Sequence, residues 1–249
     1  MAVRRPVDGE VRVHYGQIYV ESDPDSVGPG FTEAFADQDA GLCGAAIPGA
    51  LFLVTGLHTG SVGFTVEVHD AQPSLDPVWE DVVEVSFRPV SHRSRLVQWA
   101  GEAAWDLDLE ERDYRVRYCA YGMDTGRGRD TRFSDEPLVD RYLLQLWPAP
   151  PGPECVLRQT SEIAAYWHDY ARRLPSRPTV EERTKTRRVE DEAARCRREA
   201  LERWRWGGTA PSEALRGVGG NVRGLVAFDA PLVHAPGGIS ASNGQALGS

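Results

Sequence analysis

Residues 61–70, SVGFTVEVHD, alternate without a break: Val62, Phe64, Val66 and Val68 fall on one side of an extended chain, Gly63, Thr65, Glu67 and His69 on the other. A period of two sustained over this length predicts a strand with one buried and one wet face. His58, Thr59 and Gly60 separate it from GALFLVTGL at 49–57, which predicts a hairpin. Beyond it, the two prolines of AQPSLDP at 71–77 cannot sit inside a ladder and break the chain.

The same chemistry recurs. In WEDVVEVSF at 79–87, Val83, Val85 and Phe87 share one face, and Glu80, Val82, Glu84 and Ser86 the other, which predicts a central strand with an acidic outer face. DYRVRYCAYGMD at 113–124 sets Tyr114, Val116, Tyr118 and Ala120 against Arg115, Arg117, Cys119 and Tyr121. Side by side, these two strands would pair Arg115 and Arg117 with Glu80 and Glu84 as exposed cross-strand pairs that set register. VRVHYGQIYV at 11–20 predicts a first strand, Leu96–Trp99 and Trp105–Leu109 predict short ones, and LVDRYLLQLWP at 138–148 predicts the last. The acidic, Gly- and Pro-rich stretch 21–41 and the stretch 124–137 predict surface loops, with a short helical turn at Thr32–Ala36 in the first. Seven or eight strands spaced by turn signals, with no helix long enough for a parallel crossover, predict a mainly β fold: an antiparallel β-sandwich.

From residue 149 the composition changes. PAPPGPEC is linker-like, and TSEIAAYWHDYARR at 160–173 predicts a helix capped by Thr160 or Ser161, with Ile163, Tyr166, Trp167 and Tyr170 on the side that packs on the sandwich. A second, densely charged helix is expected from Thr179 to Trp206, with a thin seam of Val189, Ala193, Cys196, Ala200 and Trp204. The organisation expected is a sandwich domain over 1–155, a two-helix extension over 156–206 and a Gly-rich tail over 207–249, partly or wholly disordered.

The net charge of −9 argues against a general nucleic-acid surface, which needs clustered positive charge. It is unevenly spread: residues 1–155 carry 26 Asp and Glu against 13 Arg, and 156–249 carry 11 against 15 basic residues. An acidic body suits solubility and would steer a basic protein partner. The most apolar run, AAIPGALFLV at 45–54, is too short for a bilayer and holds a proline, and the N-terminal arginines precede no apolar segment, so a cytoplasmic protein is expected. Cys43, Cys119, Cys155 and Cys196 are widely spaced and form no C-x-x-C pair; buried thiols are expected, with a Cys119–Cys155 bridge left open.

No catalytic pattern stands out. The six histidines have no metal-ligand spacing, and GSVG at 60–63 lacks the frame of a nucleophile elbow. Glu80 and Glu84 on one strand face would sit about 13 Å apart, too far for a glycosidase pair. The reading is therefore a protein without enzymatic activity or cofactor that binds another protein, with Trp79, Glu80, Glu84, Arg115, Arg117, Tyr121 and Asp124 as candidate binding residues. The alternative is a small-ligand or carbohydrate-binding sandwich using the strand-end aromatics Tyr15, Trp79, Trp99, Trp105, Tyr121 and Trp147.

Two segments carry a family likeness. VHYGQIYVE at 13–21 and DYRVRYCAY at 113–121 resemble the opening strand and a later turn-and-strand of the ComJ/Nin family of competence-associated nuclease inhibitors. The resemblance spans residues 10–148 and implies an acidic, non-catalytic sandwich that binds a basic nuclease. The helices and tail lie outside it.

Overall fold

The computed structural model describes residues 3–26 and 28–176, together with 192, 194, 195 and 198. The expected second helix lies outside the described residues apart from those last four positions, and the tail lies wholly outside them. The body treated below belongs to the first of two compact units, Met1–Arg188 and Val189–Ser249.

Among the described residues, eleven strands form two sheets. The first sheet runs β1 (Val3–Val13), β5 (Gly60–His69), β10 (Arg141–Pro148), β9 (Tyr114–Tyr121), β6 (Asp81–Phe87) and β11 (Cys155–Arg158). The second runs β3 (Cys43–Gly44), β4 (Ala50–Val54), β2 (Gln17–Glu21), β7 (Arg95–Gln98) and β8 (Ala104–Asp106). Most inward positions are those the alternation marked: Val62, Phe64, Val66, Val83, Val85, Phe87, Tyr114, Val116 and Tyr118 are buried, whereas Val68 near the end of β5 is half-buried. The two sheets meet across this layer, where the Tyr118 hydroxyl donates to the Val54 carbonyl at 3.0 Å. The fold is mainly β with a helix after it.

Several expectations change in detail. The stretch 11–20 is not one strand, because Tyr15 and Gly16 both adopt positive φ (57° and 63°). They make a tight reversal closed by Gln17 N donating to the His14 carbonyl, and the chain passes from β1 into β2 of the other sheet. The segments 49–57 and 61–70 also lie in different sheets rather than in a hairpin. Their connection is held instead by β10 and the residue before it: Gly56 N donates to the Tyr142 hydroxyl, and Leu57 N to Asp140 Oδ2. Strands β5 and β10 pair in parallel, so the first sheet is mixed. Strand β6 is next to the edge rather than central, since residues 155–158, expected at the passage from the linker into the two-helix extension, pair with it as β11. Residues 123–129, expected as the end of a strand segment and the start of a loop, form the short helix α2 (Met123–Arg129), entered through Gly122 at φ 78°. Helix α1 is a single turn, Phe31–Ala34. Cys43, Cys119 and Cys155 are free thiols.

The helix expected over 160–173 is α3 (Glu162–Arg172), and Ser161 is its cap: its Oγ accepts from Ala164 N at 3.2 Å. Two carboxylates hold its start. Asp81 Oδ1 accepts from Thr160 N and Ser161 N, and Asp124 accepts from Glu162 N and Ile163 N. Apart from Thr160 N, which precedes the cap, these are donors that a helix N-terminus leaves without internal partners. The most buried side of α3 is Ala164, His168 and Ala171 rather than the aromatic side; Trp167 and Tyr170 flank it and meet Phe31 at 5.2 and 5.4 Å between ring centroids. Small residues let the helix come close. At the contact, Gly41 N donates to His168 Nδ1 at 2.7 Å, which places the ring proton on Nε2.

Two expected outcomes follow from this docking. A Cβ on Gly41 would collide with the Trp167 carbonyl and His168 N, which are backbone atoms that cannot swing aside. Gly41→Ala should therefore lower stability by about 1–3 kcal/mol in urea titration. Burial, and Arg172 after it, lower the His168 pKa to about 4, although Asp81 acts in the opposite sense. Its neutral form is the folded form, so stability is full above about pH 6.5 and falls as the pH drops toward 4. The loss should be on the order of 2 kcal/mol after allowance for solvent screening, and His168→Gln should flatten this limb of the stability–pH curve.

Candidate functional site

The outer face of the first sheet was the expected binding surface. In register across it stand Glu67, Gln145, Arg117 and Glu84, on β5, β10, β9 and β6. Their side chains form one connected chain. Arg117 Nε donates to Glu84 Oε1 at 2.9 Å and its Nη1 to Gln145 Oε1 at 3.3 Å, while Gln145 Nε2 donates to Glu67 Oε2 at 2.9 Å. Arg5 and His69 complete Glu67, and Arg115 reaches Glu84 Oε2 at 3.4 Å. Burial pushes the Glu67 carboxyl up, but hydrogen bonds from Gln145, Arg5 and His69 outweigh it and leave the group below its ordinary range.

The expected pairing of Glu84 with Arg115 and Arg117 is present, but it is buried rather than exposed: Glu84 is 7% and Arg117 3% accessible. The chain itself covers it. Arg117 Nη1 donates to the Pro73 carbonyl, and Arg115 Nη1 to the Gly152 carbonyl, so the segments 70–79 and 149–154 lie over the outer face. The Arg117 guanidinium also stacks 5.2 Å over the Trp147 ring.

The remaining candidates lie apart from this network. Glu80 meets neither arginine; its Oε2 accepts from Gly122 N at 2.9 Å. Asp124 caps α3, as described. Trp79 and Tyr121 come together around an unforeseen third residue, Arg141, whose guanidinium lies 5.6 and 4.5 Å from their ring centroids.

A different surface stands out at the edge of the second sheet. Residues 102–113, EAAWDLDLEERD, hold six carboxylates and one arginine. Leu107 and Leu109 turn inward and are buried, while Glu102, Asp106, Asp108, Glu110 and Glu111 are exposed. Asp106 and Asp108 have no ion pair among the described residues; Glu110 pairs only with Arg112 two positions on. The composition of this stretch is legible in the sequence, but its exposure at a sheet edge is not.

Beside that edge lies an aromatic group made by two turns. Tyr15 comes from the β1–β2 reversal and is 41% exposed, and Trp99 opens a turn containing Ala100 at φ 55°. Their ring centroids are 5.1 Å apart; His58 meets Tyr15 edge-on at 5.3 Å, and His14 lies 5.9 Å from Trp99. Glu102 joins the two features, with Oε2 3.8 Å from His14 Nε2 and its backbone N–H donating to the Trp99 carbonyl. The described residues contain no group of three or more His, Cys, Asp and Glu side chains placed to hold a metal ion. No described helix is long and apolar enough to cross a membrane.

No family model and no curated protein matches the chain. Among solved structures it is similar to ComJ from Bacillus subtilis, an inhibitor of the DNA-degrading activity of NucA, with 17% identity and a TM-score of 0.44 over 60% of this chain and 100% of that one. It is also similar to the product of crocagin biosynthetic gene J, with 16% identity and a TM-score of 0.38 over the same shares. The chain thus bears a weak ComJ-like resemblance. At these values neither likeness carries an argument about activity or partner.

The buried network has a measurable consequence. Arg117→Leu leaves Glu84 charged and buried beside Arg115 alone, and should cost about 3–5 kcal/mol in equilibrium denaturation. Adding Glu84→Leu removes the stranded charge, and the double variant should recover part of that loss.

Proposed function

We propose that the protein is a non-catalytic binding module, an inhibitor or adaptor, that receives a basic protein on the acidic edge at 102–113 and the adjoining aromatic group. The observation that supports this most is the exposed carboxylates Asp106 and Asp108, without an ion pair among the described residues, on a segment that begins at Glu102 beside the His14, Tyr15 and Trp99 rings. A row of like charge steers a basic partner and raises its association rate, and exposed Tyr and Trp side chains supply the anchors that hold it. The face first expected to bind, around Glu84, Arg115 and Arg117, has its charges satisfied internally, which supports moving the binding surface to this edge. A basic nuclease, the partner class implied by residues 13–21 and 113–121, is the first to assay.

The test compares the full chain with the triple variant Asp106→Asn, Asp108→Asn, Glu110→Gln in pull-down from the native host at physiological salt, followed by mass spectrometry. The expected result is one basic protein in stoichiometric amount with the full chain and at least about tenfold less with the variant, and inhibition of any nuclease activity the captured protein shows. Recovery of no stoichiometric partner, or equal recovery by the variant, would remove the proposal. Its competitor is a carbohydrate-binding sandwich using the same aromatics; that reading predicts a thermal shift with a glycan panel that the triple variant retains.

A further inference from the structure

Tyr15 is held in a backbone conformation that disfavours it. At φ 57°, followed by Gly16 at φ 63°, it occupies a position of a tight reversal where asparagine or glycine is the low-strain choice. For a bulky side chain, the left-handed region is an outlier retained against a steric cost. The neighbouring aromatic, Trp99, is carried on a second such turn, with Ala100 at φ 55° and Gly101 at φ 71°. Two strained turns therefore meet where their rings touch, and both rings stay partly open to solvent.

The same molecule shows what a paired Tyr and Trp accept. On the first sheet, Arg141 lies over Tyr121 and Trp79, and Arg117 lies over Trp147. No arginine lies over Tyr15 or Trp99 among the described residues, yet the exposed Glu102 carboxylate stands 3.8 Å from Nε2 of His14, the ring next to both, and the acidic row leads away from it. Arg12 donates its Nε to His14 Nε2 at 3.3 Å, and Arg4 donates to the Leu107 and Asp108 carbonyls of the acidic row, so neither guanidinium is stacked on these two rings. An aromatic face with an adjacent carboxylate is complementary to a guanidinium, which stacks on the ring and donates its planar N–H fork to the carboxylate together, and less so to a compact ammonium.

We propose that Tyr15 and Trp99 are the seat for an arginine side chain of the partner, with Glu102 as its counter-ion. This rests on the basic-partner reading above and adds to it a residue-specific preference. The acidic row attracts any cation; the seat chooses arginine.

The test uses two labelled nonapeptides of equal charge, one of arginine and one of lysine, titrated into the full chain by fluorescence anisotropy at physiological salt. The full chain should bind the arginine peptide severalfold more tightly than the lysine peptide. Tyr15→Gly, which suits the left-handed backbone, and Trp99→Leu should each weaken the arginine peptide about tenfold and bring the two peptides level. Glu102→Gln should weaken arginine more than lysine, and near-ultraviolet circular dichroism checks that each variant is folded. A preference for arginine that survives both aromatic changes would overturn the seat, as would equal binding of the two peptides by the full chain. The triple edge variant separates the two claims: it should weaken both peptides alike. If it weakens neither, the acidic-edge reading fails, whereas a lost seat with a working edge overturns only this inference.

Discussion

The buried row of charge on the outer face of the first sheet governs much of the rest of the structure. Glu67, Gln145, Arg117 and Glu84 occupy one register level on four adjacent strands, and each satisfies its neighbour. A one-residue slip of any strand would turn these side chains into the apolar layer and leave charges without partners, so the row specifies register more than it adds net stability. It also spans both kinds of junction: Gln145 on β10 bonds to Glu67 across the parallel pairing with β5 and to Arg117 across the antiparallel pairing with β9.

Such a row must be sealed from water, and the chain does so with connecting segments rather than a second layer of structure. The Pro73 and Gly152 carbonyls take the guanidinium donors left over, which ties the segments 70–79 and 149–154 to the sheet. Asp81 extends the same logic to the next level. It is fully buried, and instead of pairing with an arginine it holds the start of α3 through Thr160 and Ser161. The helix that follows the sandwich is thereby an anchored part of it, with Gly41 and His168 making the second point of attachment.

While the middle of that outer face is closed, an exposed acidic segment and an aromatic group lie together at the edge and corner of the second sheet. There the inward leucines 107 and 109 secure a short segment whose intervening side chains point to solvent. The aromatic group beside it depends on two turns with positive φ, a form of strain often associated with recognition surfaces. Both features join through Glu102, so the acidic segment and the aromatic group are continuous.

What the sequence determined by itself is the local part. Alternation at 61–70, 79–87 and 113–121 identified strands and their buried faces, because the side-chain period of a strand is a property of the chain alone. The pairing of Glu84 with Arg115 and Arg117 was also legible, since it follows from two alternations laid side by side. The tertiary structure decided the rest. Whether that pair is wet or dry depends on segments 70–79 and 149–154 folding over it. That β4 and β5 part into different sheets depends on Tyr142 and Asp140, more than 80 positions away, taking the hydrogen bonds of Gly56 and Leu57. Tyr15 and Trp99 are equally distant in the chain, and only the packing of two turns brings their rings together. A hydrogen bond or ring contact between remote residues leaves no periodic trace, so the candidate surface became visible only with the fold.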